Sequence, residues 1–377
     1  MVVFIEPLGK PFAHLAVVKS MLFAELESNN LNEVLFISSL EYFNSIPENF
    51  RNRLKFKEIK VSKSSILNIL EIVFIVLGAF FNNWRINNIK VYLLFSKSYS
   101  NIILKFLSFI FFSKRKRLYI LLHGELQNVT LKGKRSILLD GYAQRILYWF
   151  DTKFVSNLRF VVISEFVFEK LKDSLGYKPV NLISIDLPYL YDIKKDVIDD
   201  RDDFLVISTV GVNSVNKKSF LLNDIANHFV DEIKNDELKL CTSGRNDDVL
   251  FSELVETPDM GDCYLLSDEE YAKRIKNSDL LVFFNDNSYS LISSGSYFDC
   301  INFEKPILAL ANEQWEYNFK RFGHIGYLCN NIDDMNANIK SILKNKESLK
   351  FFSKNLERAR ENSSIEKSIP YFISKFL

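Results

Sequence analysis

The sequence predicts an α/β protein with two consecutive open sheets, each doubly wound and largely parallel. Two observations carry this prediction. Apolar strand-like runs alternate with helical runs through both halves of the chain, and residues 277–311 form a strand, a polar loop, a helix and a second strand in succession. Strands that alternate with helices are typical of parallel sheets. A chain of 377 residues is long enough for two or three domains, each with its own core.

In the N-terminal half the strand-like runs are short and apolar. They are residues 2–7, 33–38, 91–95, 117–122 and 160–164. The helix after the last run ends at Gly176, a residue type that commonly caps helices. The opening residues MVVFIEPLGK lack the basic region and long apolar core of a signal peptide, so they predict a first strand.

A second α/β series follows in the C-terminal half. Strands are predicted at residues 204–210, 238–242 and 263–266, and helices at residues 219–233 and 268–276. The charged, aspartate-rich segment before them indicates a linker. We therefore predict an N-terminal domain (1–188), a linker (189–203) and a C-terminal domain (204–360). A final helix at residues 361–377 is expected to pack back on the N-terminal domain.

Charge and cysteine usage exclude several classes of protein. The net charge of +1 offers no field for a polyanion, so nucleic acid is not expected as a partner. The cysteines have no metal-ligand spacing, and they lie at Cys241, Cys263, Cys300 and Cys329. This pattern predicts free thiols in a reducing compartment, so we expect a cytoplasmic protein.

Three loops in the C-terminal half, each after a predicted strand, carry residue types that bind anions. After the first strand comes Gly211, followed by Lys217 and Lys218. After the second strand comes Arg245, in a Ser-Gly-Arg turn. The third motif is the serine-glycine loop SSGS at residues 293–296, which opens a helix. Each motif alone also fits a solvated loop or an ordinary helix cap. Because the carboxyl ends of parallel strands meet at one edge of a sheet, the three together predict a diphosphate site.

In this order the motifs resemble the C-terminal half of nucleotide-sugar glycosyltransferases of the two-Rossmann-domain (GT-B) type, glycosyltransferase family 4 in particular. The matching features are G-x5-K after the first strand, the Ser-Gly-Arg turn, the stretch LLSDEEYAKRIKNSDLLVFF and the serine-glycine loop ahead of a Lys-Pro turn. The N-terminal half matches only in architecture. The resemblance implies two Rossmann-like domains that face a central cleft. The C-terminal domain would hold the donor, and the N-terminal domain would present the acceptor.

The resemblance also implies roles for single residues. The implied donor-binding residues are Gly211, Lys217, Lys218, Arg245, Leu265, Leu266, Ser293, Ser294, Gly295 and Asp299. Among them, Lys217 or Lys218 would clamp the diphosphate together with Arg245. Asp299 corresponds to the second Glu of an E-x7-E motif that contacts the ribose, whereas the first Glu falls at Leu291. This departure leaves a retaining mechanism open.

Leu265 and Leu266 correspond to the loop that contacts the nucleobase. In the N-terminal half, His123 and Glu125 directly follow a buried-looking strand. Either would serve as the base that removes the acceptor's proton in an inverting reaction. In a retaining reaction His123 would instead hydrogen-bond the donor sugar, and a purely structural role for it is a further alternative. Gly9 and His14, after the first strand, are candidates for the acceptor side or ordinary loop residues.

No metal site or dinucleotide fingerprint is predicted. The acidic pairs at residues 202–203, 247–248 and 333–334 are interpreted as solvated turns. The resemblance implies metal-independent transfer, in which basic side chains and helix N-termini offset the charge of the leaving diphosphate. No G-x-G-x-x-G follows the first strand of either half, so an NAD enzyme is not predicted and no cofactor is expected beside the nucleotide-sugar substrate.

Two segments, residues 66–81 and 101–112, are unusually apolar, and the second runs into the sequence KRKR at residues 114–117. Neither reaches the roughly 20 apolar residues that a spanning helix needs. Two interpretations stay open. The segments are core helices, or they form a surface that lies on the cytoplasmic leaflet with the basic run near anionic headgroups.

These observations predict a hexosyltransferase-like enzyme. It would move a sugar from a nucleotide-diphosphate sugar to a glycan or a polyprenyl-linked acceptor in the synthesis of bacterial capsule, O-antigen or another surface polysaccharide. Peripheral contact with the inner face of the cell membrane would suit such an acceptor. One alternative is a sugar-nucleotide epimerase, which should carry extra acidic and histidine residues in its cleft, whereas this chain has only four histidines. The other is a non-catalytic protein that binds a nucleotide sugar or a partner enzyme.

Overall fold

The structure, a computed structural model, describes residues 1–7, 15–28, 33–60, 65–111, 115–130, 135–153, 157–185, 204–259, 266–292 and 295–376. The chain forms two compact units. The first unit comprises Met1–Leu190, Leu291–Ser293 and Ser364–Leu377, and the second comprises Tyr191–Ser290 and Ser294–Ser363. The roles predicted for the two halves, acceptor and donor, stay predictions.

The first unit is built on a parallel sheet. Within the described residues its strands are β1 (Val2–Ile5), β2 (Val34–Ser38), β3 (Lys55–Glu58), β4 (Ile89–Leu93), β5 (Lys116–Leu122), β6 (Leu158–Ile163) and β7 (Leu182–Ile185). They are ordered β3-β2-β1-β4-β5-β6-β7. The order reverses between β1 and β4, which is the switch point of a doubly wound sheet.

Helices cover this sheet. They are α1 (Leu15–Ser28), α2 (Leu40–Ser45), α3 (Glu48–Arg51), α4 (Ser65–Phe81), α5 (Ser98–Phe111), α6 (Arg135–Lys153) and α7 (Glu165–Leu175). A short 3-10 helix, Gly124–Val129, precedes α6. Gly176 ends α7 in the left-handed conformation with φ of +74°, and its N–H donates to the carbonyls of Lys172 and Asp173. The predicted glycine cap is confirmed.

The second unit repeats the design. Its described strands are β8 (Leu205–Thr209), β9 (Leu238–Thr242), β10 (Val255–Glu256), β11 (Leu280–Phe283), β12 (Ile307–Leu310) and β13 (Gly326–Cys329). They are ordered β10-β9-β8-β11-β12-β13, and every described pair is parallel. The switch point therefore lies between β8 and β11.

The helices of the second unit are α8 (Leu222–His228), α9 (Val230–Lys234), α10 (Asp268–Lys276), α11 (Gly295–Asn302), α12 (Glu313–Phe322), α13 (Ile332–Lys344) and α14 (Glu347–Asn362). The sequence of α10 shows why it forms where it does. Ser267 accepts a hydrogen bond from the N–H of Glu270 at 3.1 Å and so caps the helix. Acidic residues fill its first turn and basic residues its last, as the helix dipole favours.

Strand β11 shows how the second sheet forms its core. Leu280 and Val282 belong to the apolar cluster on one face of the sheet, whereas Leu281 and Phe283 belong to the cluster on the other face. Successive side chains of a strand point to opposite faces, so a strand covered by helices on both sides must be apolar throughout. This requirement explains the run LLVF.

One further helix, α15 (Ile365–Phe376), belongs to the first unit. Its last carbonyls receive hydrogen bonds from the first sheet: Tyr119 donates to the Phe376 carbonyl at 2.8 Å, and Arg117 donates to the same oxygen at 3.3 Å. The ring of Phe376 is fully buried and meets Tyr92 and Tyr119 edge-on. The C-terminal helix is thereby anchored on the strands of the first unit.

Several predicted elements differ from the structure. The helix predicted over residues 219–233 is wrong as a single helix, because a 3-10 turn at Ser219–Leu221 precedes α8, and Phe229 separates α8 from α9 with a non-helical φ of −113° and ψ of 36°. Strands β3, β7, β10 and β13 were not predicted. The predicted strand at residues 263–266 lies, except for Leu266, outside the described residues; Leu266 has no regular structure.

Candidate functional site

A pocket lies at the switch point of the second sheet, beyond the carboxyl ends of β8 and β11. It encloses about 370 Å³ of space, part of it open to solvent. Its lining residues are Thr209, Val210, Val212, Asn213, Lys217, Ser219, Val282, Phe283, Phe284, Asn285 and Ser296. Ligands of open α/β sheets bind in the crevice at this position. All of these residues belong to the second unit.

The loops after β8 and β9 approach each other so closely that two glycines are required. Gly211 has a φ of +74°, and a Cβ added there would lie 2.4 Å from the Oγ of Ser296. A Cβ added at Gly244 would lie 1.8 Å from the carbonyl oxygen of Gly211. A side chain at Gly244 would force the two loops apart, because it would meet backbone atoms. At Gly211 the Ser296 hydroxyl can rotate away, and it is the left-handed φ that favours glycine.

Lys217 is the lysine that lines the pocket. It ends the 3-10 turn Val215–Lys217, and its Nζ lies 4.0 Å from the position of a Cβ on Gly211. Burial lowers the pKa of the Lys217 ammonium below its ordinary value, although the carboxylate of Asp247 acts in the opposite direction. The charged form is therefore less stable here than in water, and an anion in the pocket would restore its stability.

Lys218 has a different environment. It adopts the left-handed conformation with φ of 56°, and its Nζ forms an ion pair with Oδ2 of Asp286 at 2.7 Å. The hydrogen bond from Lys218, with a second from Ser288, lowers the pKa of Asp286 to about 2. Lys218 thus links the loop after β8 to the loop after β11, and it is not among the residues that line the pocket.

Replacing Lys218 with methionine is expected to raise the pKa of Asp286 from about 2 toward its ordinary value of 3.8. Because the folded pKa is the lower one, the pair stabilises the fold above pH 3.8 and loses this contribution as pH falls toward 2. Both side chains are about 40% exposed, so the effect on the free energy of unfolding is below about 1 kcal/mol. A carboxyl NMR titration measures the shift. Lys239→Met, in the same sheet, is the control and should leave the pKa of Asp286 unchanged. If Lys218→Met also leaves this pKa unchanged, the ion pair is contradicted.

Arg245 already has a carboxylate partner in this structure. Its Nε lies 2.5 Å from Oδ1 of Asp247, and its Nη2 donates to Oδ2 of Asp247 at 2.7 Å. The guanidinium that was predicted to clamp the diphosphate is thus engaged by a side chain two residues away. The backbone carbonyl of Arg245 accepts from the N–H of Asn213 at 2.7 Å, which ties the two loops together.

Gly295 begins α11, is exposed, and has no heavy atom within 4 Å of an added Cβ. Next to it, the Oγ of Ser296 donates to the carbonyl of Val210 at 3.3 Å, which places the start of α11 against the loop after β8. Asp299, in the following turn, accepts a hydrogen bond from the Tyr271 hydroxyl at 2.7 Å. Ser293, Ser294 and Leu265 lie outside the described residues.

Leu291, at the position of the first Glu of the resembled motif, is fully buried in the first unit. Its N–H donates to Oε1 of Gln127 at 3.1 Å. Both the side chain and the backbone at this position therefore have a structural role. A contact from Leu291 to a donor sugar has no support in this geometry.

The sequence analysis missed four polar side chains of the pocket, Thr209, Asn213, Ser219 and Asn285. Two of them carry atoms without a partner. Thr209 ends β8 and Asn213 follows it; they are 4% and 1% exposed. The Oγ1 of Thr209 and the Nδ2 of Asn213 are buried without a hydrogen-bond partner. An unsatisfied buried polar group costs about 1–3 kcal/mol. Such groups are usually matched by water or a ligand, so both atoms are candidate contacts for a ligand in the pocket.

The predicted residues of the N-terminal half lie in the first unit. The Nε2 of His123 lies 2.8 Å from the carbonyl oxygen of Leu94, at the carboxyl end of the first sheet. A carbonyl only accepts, so in the neutral ring Nε2 carries the proton and Nδ1 does not. The backbone of Glu125 lies in the 3-10 helix Gly124–Val129, and its side chain is outside the described part of the structure. Gly9 and His14 are also outside it.

Among the described residues, no group of three or more His, Cys, Asp or Glu side chains is arranged to hold a metal ion. Three of the cysteines are described, and all are free thiols. Burial raises the pKa of Cys241 and Cys329 to about 11, so both are protonated at neutral pH. Within the same residues, no helix has the length and apolar character needed to cross a membrane.

No protein-family model matches this chain, and no curated protein matches it in sequence. Solved structures do match it in fold. A glycosyltransferase from Rickettsia africae ESF-5 is 10% identical with a TM-score of 0.59, covering 99% of this chain and 96% of that one. The lipopolysaccharide outer core galactosyltransferase WaaB, in its apo form, is 12% identical with a TM-score of 0.59 over 100% and 98% of the two chains.

A third similar structure is the UDP-GlcNAc 2-epimerase from Neisseria meningitidis bound to UDP-GlcNAc. It is 11% identical with a TM-score of 0.53, covering 100% of this chain and 98% of that one. At such identities the similarity establishes the fold and leaves the activity open. The second sheet has the order 3-2-1-4-5-6, and the first sheet has the same order with a seventh strand at its edge. These two parallel sheets and the matches confirm the predicted fold class, so this chain has two Rossmann-like domains of the GT-B fold.

Proposed function

We propose that this protein is a glycosyltransferase that moves a sugar from a nucleoside-diphosphate sugar to the hydroxyl of a glycan or lipid-linked acceptor. The pocket at the β8/β11 switch point carries this proposal. It combines a lysine whose charge is disfavoured by burial with two unpartnered polar atoms, those of Thr209 and Asn213. A diphosphate supplies negative charge for the first, and phosphate or hydroxyl oxygens supply partners for the others.

The pocket suits the leaving group of this reaction. The acceptor oxygen forms a bond to the anomeric carbon as the bond to the diphosphate breaks, and negative charge gathers on the diphosphate. The ammonium of Lys217 and the N-terminus of α11 at Gly295 would offset this charge without a metal ion. Of the two candidate lysines, we assign this role to Lys217, because Lys217 lines the pocket and Lys218 does not.

The acceptor's proton has two candidate recipients in the first unit, His123 and Glu125. With the proton of neutral His123 on Nε2, as the Leu94 contact requires, Nδ1 is the nitrogen that takes a proton. Transfer with inversion needs one of these bases. In transfer with retention the leaving diphosphate oxygen would take the acceptor's proton, and His123 would then hydrogen-bond the donor sugar.

We further propose that the acceptor belongs to a bacterial surface polysaccharide such as capsule or O-antigen, built at the cytoplasmic side of the membrane. One structure of similar fold is a lipopolysaccharide galactosyltransferase, which is consistent with this proposal. An epimerase is the second candidate, because a structure of similar fold is a 2-epimerase with UDP-GlcNAc bound. A binding protein without turnover is the third.

A thermal-shift screen against UDP, GDP, CMP, dTDP and NAD tests the donor site. A ligand present at 100 times its dissociation constant stabilises the native state by about 2.7 kcal/mol, which is readily detected. We expect one nucleoside diphosphate to stabilise the protein and NAD to have no effect. Stabilisation by NAD alone, or by no nucleotide, would contradict the proposal.

Product analysis with the matching nucleotide sugar separates the three candidates. A glycosyltransferase releases nucleoside diphosphate in proportion to glycosylated acceptor. An epimerase converts the nucleotide sugar to its epimer and needs no acceptor. Binding without either product would identify the non-catalytic role.

A further inference from the structure

Three helices of the first unit, α4, α5 and α6, present an apolar surface to solvent. Each has four exposed side chains among those that the structure describes, and none of these is charged or hydrophilic. They are Leu67, Leu70, Phe74 and Phe81 on α4, Tyr99, Phe106, Phe109 and Ile110 on α5, and Leu139, Tyr142, Ile146 and Trp149 on α6. We call this surface the α4–α6 face.

The α4–α6 face is continuous. Helix α5 packs beside α4 on one side and beside α6 on the other. On α4 the exposed positions recur at intervals of three, four and seven residues, and on α6 at three, four and three. These intervals place the side chains of each helix in one stripe. Three such stripes on neighbouring helices make a broad apolar surface. Monomeric soluble proteins rarely expose an apolar patch of this kind.

Helix α5 has its polar and apolar sides in the opposite arrangement to a helix that faces water. Its exposed side chains are aromatic or aliphatic, whereas its buried ones are mainly polar: Ser98, Ser100, Asn101, Lys105 and Ser108, with Leu104. The polar side chains of a helix at a protein surface normally face water. An apolar medium over the outer side of α5 would therefore stabilise this arrangement.

Basic groups border the α4–α6 face where α4 and α5 end. Arg85 and Arg115 are exposed. The ammonium of Lys116 lies 3.2 Å from the centre of the Trp84 ring, and Trp84 is itself 61% exposed. No exposed carboxylate lies on the described side chains of the three helices. Aromatic side chains beside cations are typical of proteins that lie in the headgroup region of an anionic bilayer.

We propose that the α4–α6 face docks this protein on an anionic lipid bilayer, with the exposed aromatic and aliphatic side chains inserted among the acyl chains and Arg85, Arg115 and Lys116 at the headgroups. A second copy of the chain would also cover an apolar face. The basic border favours the lipid, because two copies related by symmetry would bring like charges toward each other, whereas anionic headgroups attract them.

The bilayer is a partner in the proposed function, and the docking rests on that function only in one respect. Sugar transfer to a lipid-linked acceptor is the reason for the protein to bind a membrane. The docking surface belongs to the first unit and the nucleotide pocket to the second. The two proposals therefore fail separately. Nucleotide stabilisation without lipid binding would overturn the docking alone, and lipid binding without any nucleotide effect would overturn the sugar transfer alone.

Flotation with vesicles tests the docking. Wild-type protein is expected to float with vesicles that contain phosphatidylglycerol and to float less with pure phosphatidylcholine. The double variant Phe74→Glu/Ile110→Glu changes two side chains that are 69% and 74% exposed, so its fold should be kept. Its partition to the vesicles is expected to fall about tenfold or more. Arg115→Ala is expected to lower partition about fivefold, an effect that high salt removes.

Leu250→Glu is the matched control, since Leu250 is 92% exposed and lies in the second unit. It should float like the wild type, and all variants should keep the wild-type melting temperature. Wild-type protein that stays at the bottom of the gradient would overturn the proposal. So would equal flotation of the double variant and Leu250→Glu. Light scattering that shows a wild-type dimer, and a monomer only for the double variant, would assign the face to a second copy instead.

Discussion

Replacing Lys217 with methionine is expected to weaken the binding of a nucleoside diphosphate, and so to reduce the thermal stabilisation by it, while the ligand-free protein stays at least as stable as the wild type. Burial lowers the pKa of Lys217, so an anion in the pocket would stabilise its charged form. Hydrogen bonds to charged groups contribute about 1.5–3 kcal/mol, so the affinity should fall about tenfold to a hundredfold. Calorimetric titration and thermal melts measure the two effects. In the wild type, binding should weaken as pH rises through the Lys217 pKa.

Lys218→Met is the comparison for this experiment. Its ammonium is engaged by Asp286, and a smaller loss of affinity is expected. A full loss of binding in Lys218→Met, with wild-type affinity in Lys217→Met, would reverse the assignment of the two lysines. A large loss of stability in ligand-free Lys217→Met would show that the side chain is chiefly structural.

Gly244→Ala is expected to lower the free energy of unfolding by about 3 kcal/mol, at the upper end of the usual range for overpacking. The added Cβ would lie 1.8 Å from the Gly211 carbonyl oxygen, and a backbone atom cannot rotate away as a flexible side chain does. The loops after β8 and β9 must separate, so nucleotide binding should be lost as well. Urea denaturation measures the change as a lower midpoint at constant slope.

Two other glycines are controls. Gly78→Ala, inside α4, has no heavy atom within 4 Å of the new Cβ and should stabilise the protein by about 0.5–1 kcal/mol. Gly295→Ala has the same room, so the ligand-free protein should be unaffected. If Gly295 approaches the phosphate as proposed, this variant should bind nucleotide more weakly. If the free energy of unfolding of Gly244→Ala equals that of Gly78→Ala, the close approach of the two loops is contradicted.

The central strands were predictable from the sequence, and several edge strands were not. β11 is covered on both faces, so its residues read as an uninterrupted apolar run. β3 at the edge of the first sheet has the sequence KFKE and is largely exposed, so it has no apolar signal. β10 at the edge of the second sheet has two residues. An edge strand pairs on one side only. Its position depends more on hydrogen bonds to the backbone of its neighbour than on a pattern in its own side chains.

The candidate pocket was predictable in part. A glycine after a strand, followed by lysines, located Gly211 and Lys217, because those residue types have a local reason to be there. Thr209 and Asn213 were missed because their property, burial without a partner, arises from packing. The choice between Lys217 and Lys218 also depends on Asp286, a residue far along the sequence that the fold brings near. For Arg245 the partner was close in sequence, since Asp247 is two residues away.

The position of α15 in the first unit has a consequence for synthesis. Ribosomes make residues 365–376 only after the whole second unit, yet Phe376 packs edge-on against Tyr92 and Tyr119 in the first. Until then the nascent first unit has an exposed aromatic surface on its sheet, although N-terminal domains generally fold first during synthesis. The second unit can complete its core earlier. Chaperones that recognise exposed aromatic surfaces should therefore bind nascent chains that end before α15 and release those that contain it.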